Sequence, residues 1–166
     1  VAAMSDRDKR EVTAAYYAMV ELIDENVGRM IAALEETGQL DNTIVIFMSD
    51  HGEMLGDHGI YLKGPHFYEA AVHVPLVMQW PGQFQTDQRA EGLIELTDIA
   101  PTLLDAAGLK IPAAIQGKTL LPILQGNADS RDHRDYVFSE YYNAWSHRHS
   151  YGTMYRTETH KMIVYH

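Results

Sequence analysis

The stretch TIVIFMSDHGEMLGDHG, residues 43–59, decides the fold because it joins an apolar run to a polar, glycine-rich loop. The apolar part, residues 43–48, is rich in β-branched and aromatic side chains and does not alternate with polar ones. This pattern predicts a strand buried on both faces, which is typical of parallel sheets covered by helices. In such sheets ligands gather outside the carboxyl ends of the strands, where Asp50 and His51 stand.

Asp50 and His51 are therefore candidate metal ligands. A carboxylate oxygen and an imidazole nitrogen can together hold Ca²⁺, Mn²⁺ or Zn²⁺, provided that further ligands come from elsewhere. An alternative stays open, because Asp50 and Glu53 have the spacing of a capping box and Gly52 suits a tight turn without any metal. Other acidic and histidine side chains are interpreted as solvated or as satisfied by hydrogen bonds. They are Glu53, Asp57, His58, His66, His73, His147, His149 and His160.

Lys63 stands twelve residues after His51, in the segment YLKGPHFYE. A lysine in a loop with glycine and proline is commonly a solvated surface charge. If the loop folds back over the end of the strand, its ammonium group becomes a point charge for a sulfate or phosphate oxygen. The spacing does not decide between these two interpretations.

The order of predicted elements indicates an α/β domain, because strands and helices alternate along the chain. The predicted elements are an amphipathic helix over residues 5–40 that ends near Gly38, a strand over 43–49, a short helix over 69–74, strands over 76–80 and 92–96, and a helix that Thr97 or Asp98 caps and that runs to Gly108.

The character of the sequence changes after LQGNADSRDHRD, residues 124–135, which is polar and charged and is interpreted as a linker. The segments that follow, over 136–142, 151–157 and 160–166, predict antiparallel strands, the last two of them forming a hairpin. We place a domain boundary near Gly126, with an α/β part over residues 1–126 and an incomplete antiparallel subdomain over 127–166.

The composition excludes several classes of protein. The chain has 166 residues, of which 46% are hydrophobic, so it is long enough to bury a core. Its 23 acidic against 13 basic residues, a net charge of −10, argue against nucleic acid or an anionic membrane as partner. Without cysteine, these residues contain no disulfide, zinc-thiolate site or thiol nucleophile. No apolar run is long enough for a membrane span, and the start lacks an initiator Met, so a piece of a longer protein is expected.

Residues 42–82, NTIVIFMSDHGEMLGDHGIYLKGPHFYEAAVHVPLVMQWPG, resemble the second half of the catalytic domain of a sulfatase, in the alkaline-phosphatase-like superfamily. The segments ELTDIAPTLLDAAGL, QGKTLLPIL and MYRTETHKMIVYH resemble parts that follow in the same order in such enzymes. The resemblance implies part of an alkaline-phosphatase-like α/β sheet flanked by helices, followed by the start of a small antiparallel β subdomain.

The resemblance also implies an activity, which is hydrolysis of a sulfate ester on a small molecule or a glycan. It implies a divalent metal, commonly Ca²⁺ with Mn²⁺ or Zn²⁺ as alternatives, held in this part by Asp50 and His51. It implies that Lys63 contacts the sulfate as a catalytic and substrate-binding residue, and His66 is a further substrate-binding candidate. His147, Arg148 and His149 are conceivable contributors to substrate binding.

The nucleophile of this family is a formylglycine made from a Cys or Ser in a C/S-x-P-x-R motif, and that motif does not occur in these residues. The resemblance places it upstream, so the 166 residues alone are expected to be inactive. Two alternatives remain. One is a phosphonate or phosphate ester hydrolase of the same superfamily, and the other is a non-catalytic relative that binds a metal or a glycan.

Overall fold

The computed structural model describes residues 4–142 and 150–166 of the chain. His147, Arg148 and His149 lie outside the described residues. The chain divides into two compact units, Val1–Pro81 and Gly82–His166. None of the helices in the described part is long and apolar enough to cross a membrane.

The first unit begins with a long helix, α1 (Asp6–Glu36), which confirms the predicted amphipathic helix. Ser5 caps it, because the Ser5 hydroxyl accepts the Asp8 N–H at 3.2 Å while the Asp8 carboxylate accepts the Ser5 N–H at 3.1 Å. After the helix the chain turns at Gly38, whose φ of 65° is a left-handed conformation that glycine adopts without strain.

The strands β1 (Val45–Met48) and β2 (Leu76–Gln79) confirm two of the predicted strands, and they pair with each other. Their pairing is antiparallel, with Val45 opposite Gln79 and Met48 opposite Leu76. The expectation of a parallel strand buried on both faces is therefore wrong for this pair, and the side chains of Phe47 and Met48 are exposed. A continuous apolar run indicates that both faces of a strand can be buried. It does not show whether the paired strand runs parallel or antiparallel to it.

The chain between the two strands forms a long loop and a short helix, α2 (Glu69–Val72), which confirms the predicted short helix. A 3-10 turn, Asp57–Gly59, lies within the loop. The buried apolar side chains of this unit belong to the loop and to α2. They are Met54, Phe67 and Ala71.

The second unit begins without a strand, so the strand predicted over residues 92–96 is wrong. Its backbone donors are used elsewhere, because the Gly92 N–H donates to the Ser130 carbonyl and the Glu95 N–H donates to the Asp98 carboxylate. An N–H group that donates to one of these acceptors is not available to pair with a neighbouring strand.

A 3-10 turn, Leu96–Asp98, leads directly into α3 (Ile99–Ala106), which confirms the predicted helix. Pro101 lies in the first turn of α3, where its missing N–H costs nothing. The short helix α4 (Leu121–Leu124) follows.

The chain ends in an antiparallel sheet of three described strands, β3 (Tyr136–Tyr142), β4 (Tyr151–Thr157) and β5 (Lys161–Tyr165), in that order. The predicted hairpin is confirmed, since Thr157 and His160 close the turn between β4 and β5 through a 2.8 Å hydrogen bond. The proposed boundary near Gly126 concerns the domains of the whole protein and stays a prediction.

Candidate functional site

The loop that follows β1 carries Asp50 and His51. Because β1 ends at Met48, the chain leaves strand geometry before these two residues, and their side chains are not forced to opposite faces of the sheet. The Asp50 carboxylate oxygen Oδ1 lies 3.9 Å from His51 Nε2. The two side chains are partly or largely open to solvent, with 83% of the Asp50 side chain and 44% of the His51 side chain exposed.

The orientation of the His51 ring suits metal binding. Its Nδ1 lies 2.9 Å from the Gly52 carbonyl oxygen, and because a carbonyl only accepts, Nδ1 must carry the proton. In the neutral ring with that proton, the lone pair of Nε2 can ligate a metal, in the arrangement that metal-binding histidines generally show. Two ligands that each stand about 2.1–2.5 Å from one ion are at most about 5 Å apart, and the observed 3.9 Å fits within that span.

Asp50 and His51 fit a metal ion as part of a ligand shell. In residues 4–142 and 150–166 no group of three or more His, Cys, Asp or Glu side chains is arranged to hold one. A complete shell needs ligands beyond these two. The assignment of the metal to Asp50 and His51 therefore stays a prediction.

Glu53 has a role that the sequence interpretation missed. No helix begins over residues 50–53, so the capping-box interpretation is wrong. Glu53 is not a solvated loop residue either, because its Oε1 accepts the Leu55 N–H at 3.0 Å and the Leu62 N–H at 2.6 Å. A signal was present in the sequence, since a loop with several glycines needs acceptors for its free N–H groups and Glu53 stands at its start.

Lys63 and His66 lie further along the same loop. Lys63 is exposed and directly follows Leu62, whose φ of 64° is left-handed. His66 is partly buried, and its ring centroid lies 5.8 Å from that of Tyr68. Gly64 has a φ of 53°, and a Cβ atom there would stand 2.9 Å from the His66 ring, so a larger residue would be strained and would displace the ring. The roles of Lys63 and His66 in binding sulfate stay predictions.

Two family profiles match the chain. The one described as Sulfatase matches residues 2–109, and the one described as N-sulphoglucosamine sulphohydrolase, C-terminal, matches residues 56–166. Each covers more than half of the 166 residues. The chain belongs to the sulfatase family.

Individual sulfatases and their structural neighbours agree with this assignment. The N-acetylglucosamine-6-O-sulfatase of Bacteroides thetaiotaomicron is 38% identical over 152 residues, which are 89% of this chain and 27% of that protein. A structure solved in complex with its substrate D-glucosamine-2-N,6-O-disulfate superposes with a TM-score of 0.81 at 35% identity, over 89% of this chain and 30% of that one. The predicted α/β fold with a small antiparallel sheet is thereby confirmed.

A phosphonate monoester hydrolase of Agrobacterium radiobacter also superposes on this sulfatase chain, with a TM-score of 0.79 at 28% identity. The match covers 98% of this chain and 36% of that one. The chain thus spans 27–36% of the length of these proteins.

The second unit of this sulfatase contains a buried ionic cluster. Asp98 is fully buried and His133 is 3% exposed, and the Asp98 carboxylate lies 3.2 Å from His133 Nε2. The same carboxylate accepts the N–H of Glu95 at 2.9 Å, the N–H of Lys118 at 2.7 Å and a hydrogen bond from the Arg134 guanidinium. The guanidinium also pairs with the Glu95 carboxylate at 2.8 Å.

This cluster corrects the interpretation of residues 124–135 as a linker. His133 and Arg134 belong to that polar segment, yet their side chains pack against Asp98 at the start of α3 instead of being solvated. Thr102 extends the network, since its hydroxyl donates to the Asp98 carbonyl at 2.6 Å and accepts the Leu120 N–H at 2.8 Å. The network joins three separate segments of the second unit.

His133 makes the stability of the protein depend on pH. Burial lowers the pKa of His133 below its usual 6.5, and the nearby charges of Arg134 and Lys118 act in the same direction, against the opposing effect of Asp98. The folded state therefore takes up a proton less readily than the unfolded state. The contribution of neutral His133 to the free energy of unfolding is fully present above about pH 6.5. It is lost as the pH falls from there towards the pKa of His133 in the folded state.

We expect the urea midpoint of the full-length protein to fall between pH 7.5 and pH 5, and to fall less in a His133→Gln variant. Both proteins keep the exposed histidines. The difference between the two proteins in how steeply the urea midpoint falls with pH therefore reports the effect of His133. Identical pH dependence in the two proteins would contradict the prediction.

Proposed function

We propose that this chain forms the later part of a sulfatase that hydrolyses sulfate esters with a divalent metal and a formylglycine nucleophile supplied by upstream residues. The metal is Ca²⁺ in the first place, and Mn²⁺ or Zn²⁺ otherwise. The observation that carries the proposal is the pair of Asp50 and His51 at the end of β1, with the free Nε2 of the histidine 3.9 Å from the carboxylate. It occurs in a chain that matches the sulfatase family over its length.

The chemistry explains why such residues are needed. Hydrolysis of a sulfate ester needs a nucleophile in line with the leaving oxygen, stabilisation of charge on the sulfuryl oxygens and help for the departing alkoxide. A divalent ion, when bound, neutralises charge on those oxygens and orients the nucleophile. Asp50 would supply a hard anionic oxygen to it, and His51 a neutral nitrogen whose ring is held by the Gly52 carbonyl. Lys63 would add a compact positive charge on another side of the sulfate.

The substrate we propose is a sulfated glycan. Support comes from the relative that is named for N-acetylglucosamine 6-O-sulfate groups and from the neighbour solved with D-glucosamine-2-N,6-O-disulfate. With a net charge of −10, the chain repels anions at long range. Within this chain, the metal and Lys63 would supply local positive charge that attracts a sulfated sugar against that background.

The proposal is tested on the full-length protein with its upstream residues and a mature nucleophile. We expect a higher kcat/KM for 4-nitrophenyl sulfate than for 4-nitrophenyl phenylphosphonate, and loss of turnover after removal of the metal with EDTA. A preference for the phosphonate ester would instead support the second candidate, which the likeness to the phosphonate monoester hydrolase favours. Absence of turnover with both esters, together with an upstream sequence without a C/S-x-P-x-R motif, would indicate a non-catalytic binding protein.

We also expect the 166 residues expressed alone to show no turnover of an aryl sulfate. Removing the nucleophile removes the covalent route, whatever metal remains bound. The measurement is release of 4-nitrophenol by the purified polypeptide with added Ca²⁺, compared with the full-length protein at equal concentration. Metal-dependent release by the short polypeptide would overturn this expectation.

A further inference from the structure

The loop between β1 and α2 holds an unusual number of residues in left-handed conformations. Three of them are not glycine, namely Leu55, His58 and Leu62, with φ values of 45°, 54° and 64°. A non-glycine residue pays about 1–2 kcal/mol for this conformation, because its Cβ crowds the following carbonyl. Such residues persist only where the surrounding structure holds them, and they cluster at functional sites.

Glu53 holds two of these three residues. A single carboxylate oxygen, Oε1, accepts the N–H of Leu55 at 3.0 Å and the N–H of Leu62 at 2.6 Å. The second bond spans nine residues and closes the loop. Hydrogen bonds to an ionised carboxylate are shorter and stronger than neutral ones, so this contact is well suited to offset the strain at Leu62.

The backbone on either side of Glu53 is itself fixed. The Gly52 N–H donates to the Ala71 carbonyl at 2.8 Å, and a Cβ at Gly52 would lie 1.9 Å from the Ala70 carbonyl oxygen, so this stretch lies directly against α2. On the other side Met54 is 1% exposed and belongs to the core of the unit. The carboxylate of Glu53 therefore stands at a position that is set by packed structure.

Leu62 immediately precedes Lys63. The side chain of Leu62 is exposed, so no burial holds the residue at positive φ. Loss of the hydrogen bond to Glu53 would remove the contact that favours this conformation, and a change of φ at Leu62 would redirect the chain at Lys63.

We infer that Glu53 is a positioning residue that fixes Lys63 for its contact with the sulfate group. The inference rests on the proposed role of Lys63 in sulfate-ester hydrolysis. Glu53 contributes no atom to the reaction. It acts through the Leu62 N–H, which sets the direction in which the chain presents the lysine.

The first arm of the test measures the contact itself in the full-length protein. We expect slow hydrogen exchange at the Leu62 amide in the wild type, fast exchange in Glu53→Ala, and substantial protection in Glu53→Gln, whose amide oxygen still accepts. Asp57→Ala is the matched control, since it removes a carboxylate from the same loop. The hydrogen bonds of Asp57 to Met54 and Ile60 are made by its backbone, so alanine can keep them. Equal protection of Leu62 in Glu53→Ala and the wild type would overturn the inference.

The second arm is a double-mutant cycle with Lys63, measured as kcat/KM for 4-nitrophenyl sulfate. We expect Glu53→Ala to lower it about tenfold to a hundredfold, as misplacement of a catalytic group does, and Glu53→Gln to restore most of the loss. Because Glu53 acts through Lys63, adding Glu53→Ala to Lys63→Ala should cost little more. If the loss of kcat/KM in the double variant equals the product of the two single losses, Glu53 acts independently of Lys63. That result would overturn the inference.

The two arms also separate failure of the inference from failure of the proposed function. If Lys63→Ala leaves turnover unchanged, the proposed catalytic role of Lys63 is wrong, and the role of Glu53 in positioning Lys63 for catalysis is wrong with it. Fast exchange at Leu62 in Glu53→Ala would in that case locate the failure in the function of the lysine and not in the contact that Glu53 makes.

Discussion

Replacing Lys63 with alanine should lower kcat/KM for an aryl sulfate about a hundredfold or more in the full-length enzyme. The reason is electrostatic, because a positive charge aimed at the sulfuryl oxygens stabilises the transition state more than the ground state, and loss of a single such donor commonly costs this much. Lys63→Arg should restore only part of the rate, since a planar guanidinium does not reproduce a compact ammonium charge.

Stability measurements provide the control for Lys63. The side chain is exposed, so Lys63→Ala should leave the free energy of unfolding within about 0.5 kcal/mol of the wild type. A variant that is well folded and turns over aryl sulfate at close to the normal rate would show that Lys63 is an ordinary surface lysine.

Asp98→Ala should destabilise the protein by about 3–5 kcal/mol, as removal of one partner from a buried ion pair does. The fully buried carboxylate satisfies the backbone N–H groups of Glu95 and Lys118 and the Arg134 guanidinium at once. Alanine would leave the N–H groups of Glu95 and Lys118 without this acceptor inside the unit, and Arg134 would lose one of its two carboxylate partners and keep Glu95.

The measurement is the free energy of unfolding in urea, compared with Asp132→Ala as the matched control. Asp132 belongs to the same polar segment as His133, but it is exposed, and its replacement should change stability by no more than about 0.5 kcal/mol. Similar stability of the two variants would show that the Asp98 cluster contributes little to the fold.

Local features of this protein follow from the sequence alone. The amphipathic helix within residues 5–40, the turn at Gly38 and the hairpin between β4 and β5 are predicted from the sequence and confirmed by the structure. Each depends on residues within about four positions of one another, through capping, periodicity and turn chemistry. The family could also be recognised, because its segments follow one another in fixed order along the chain.

The tertiary structure decided where the chain makes its distant contacts. The sequence indicated β1 but not the antiparallel direction of β2, and it did not show that the N–H groups of Gly92 and Glu95 bond outside a strand. Glu53 and Leu62 are nine positions apart, and Asp98 and His133 are 35 positions apart. No periodicity or capping rule reaches over such separations, because the gain from each contact exists only after the packed core has brought the two segments together.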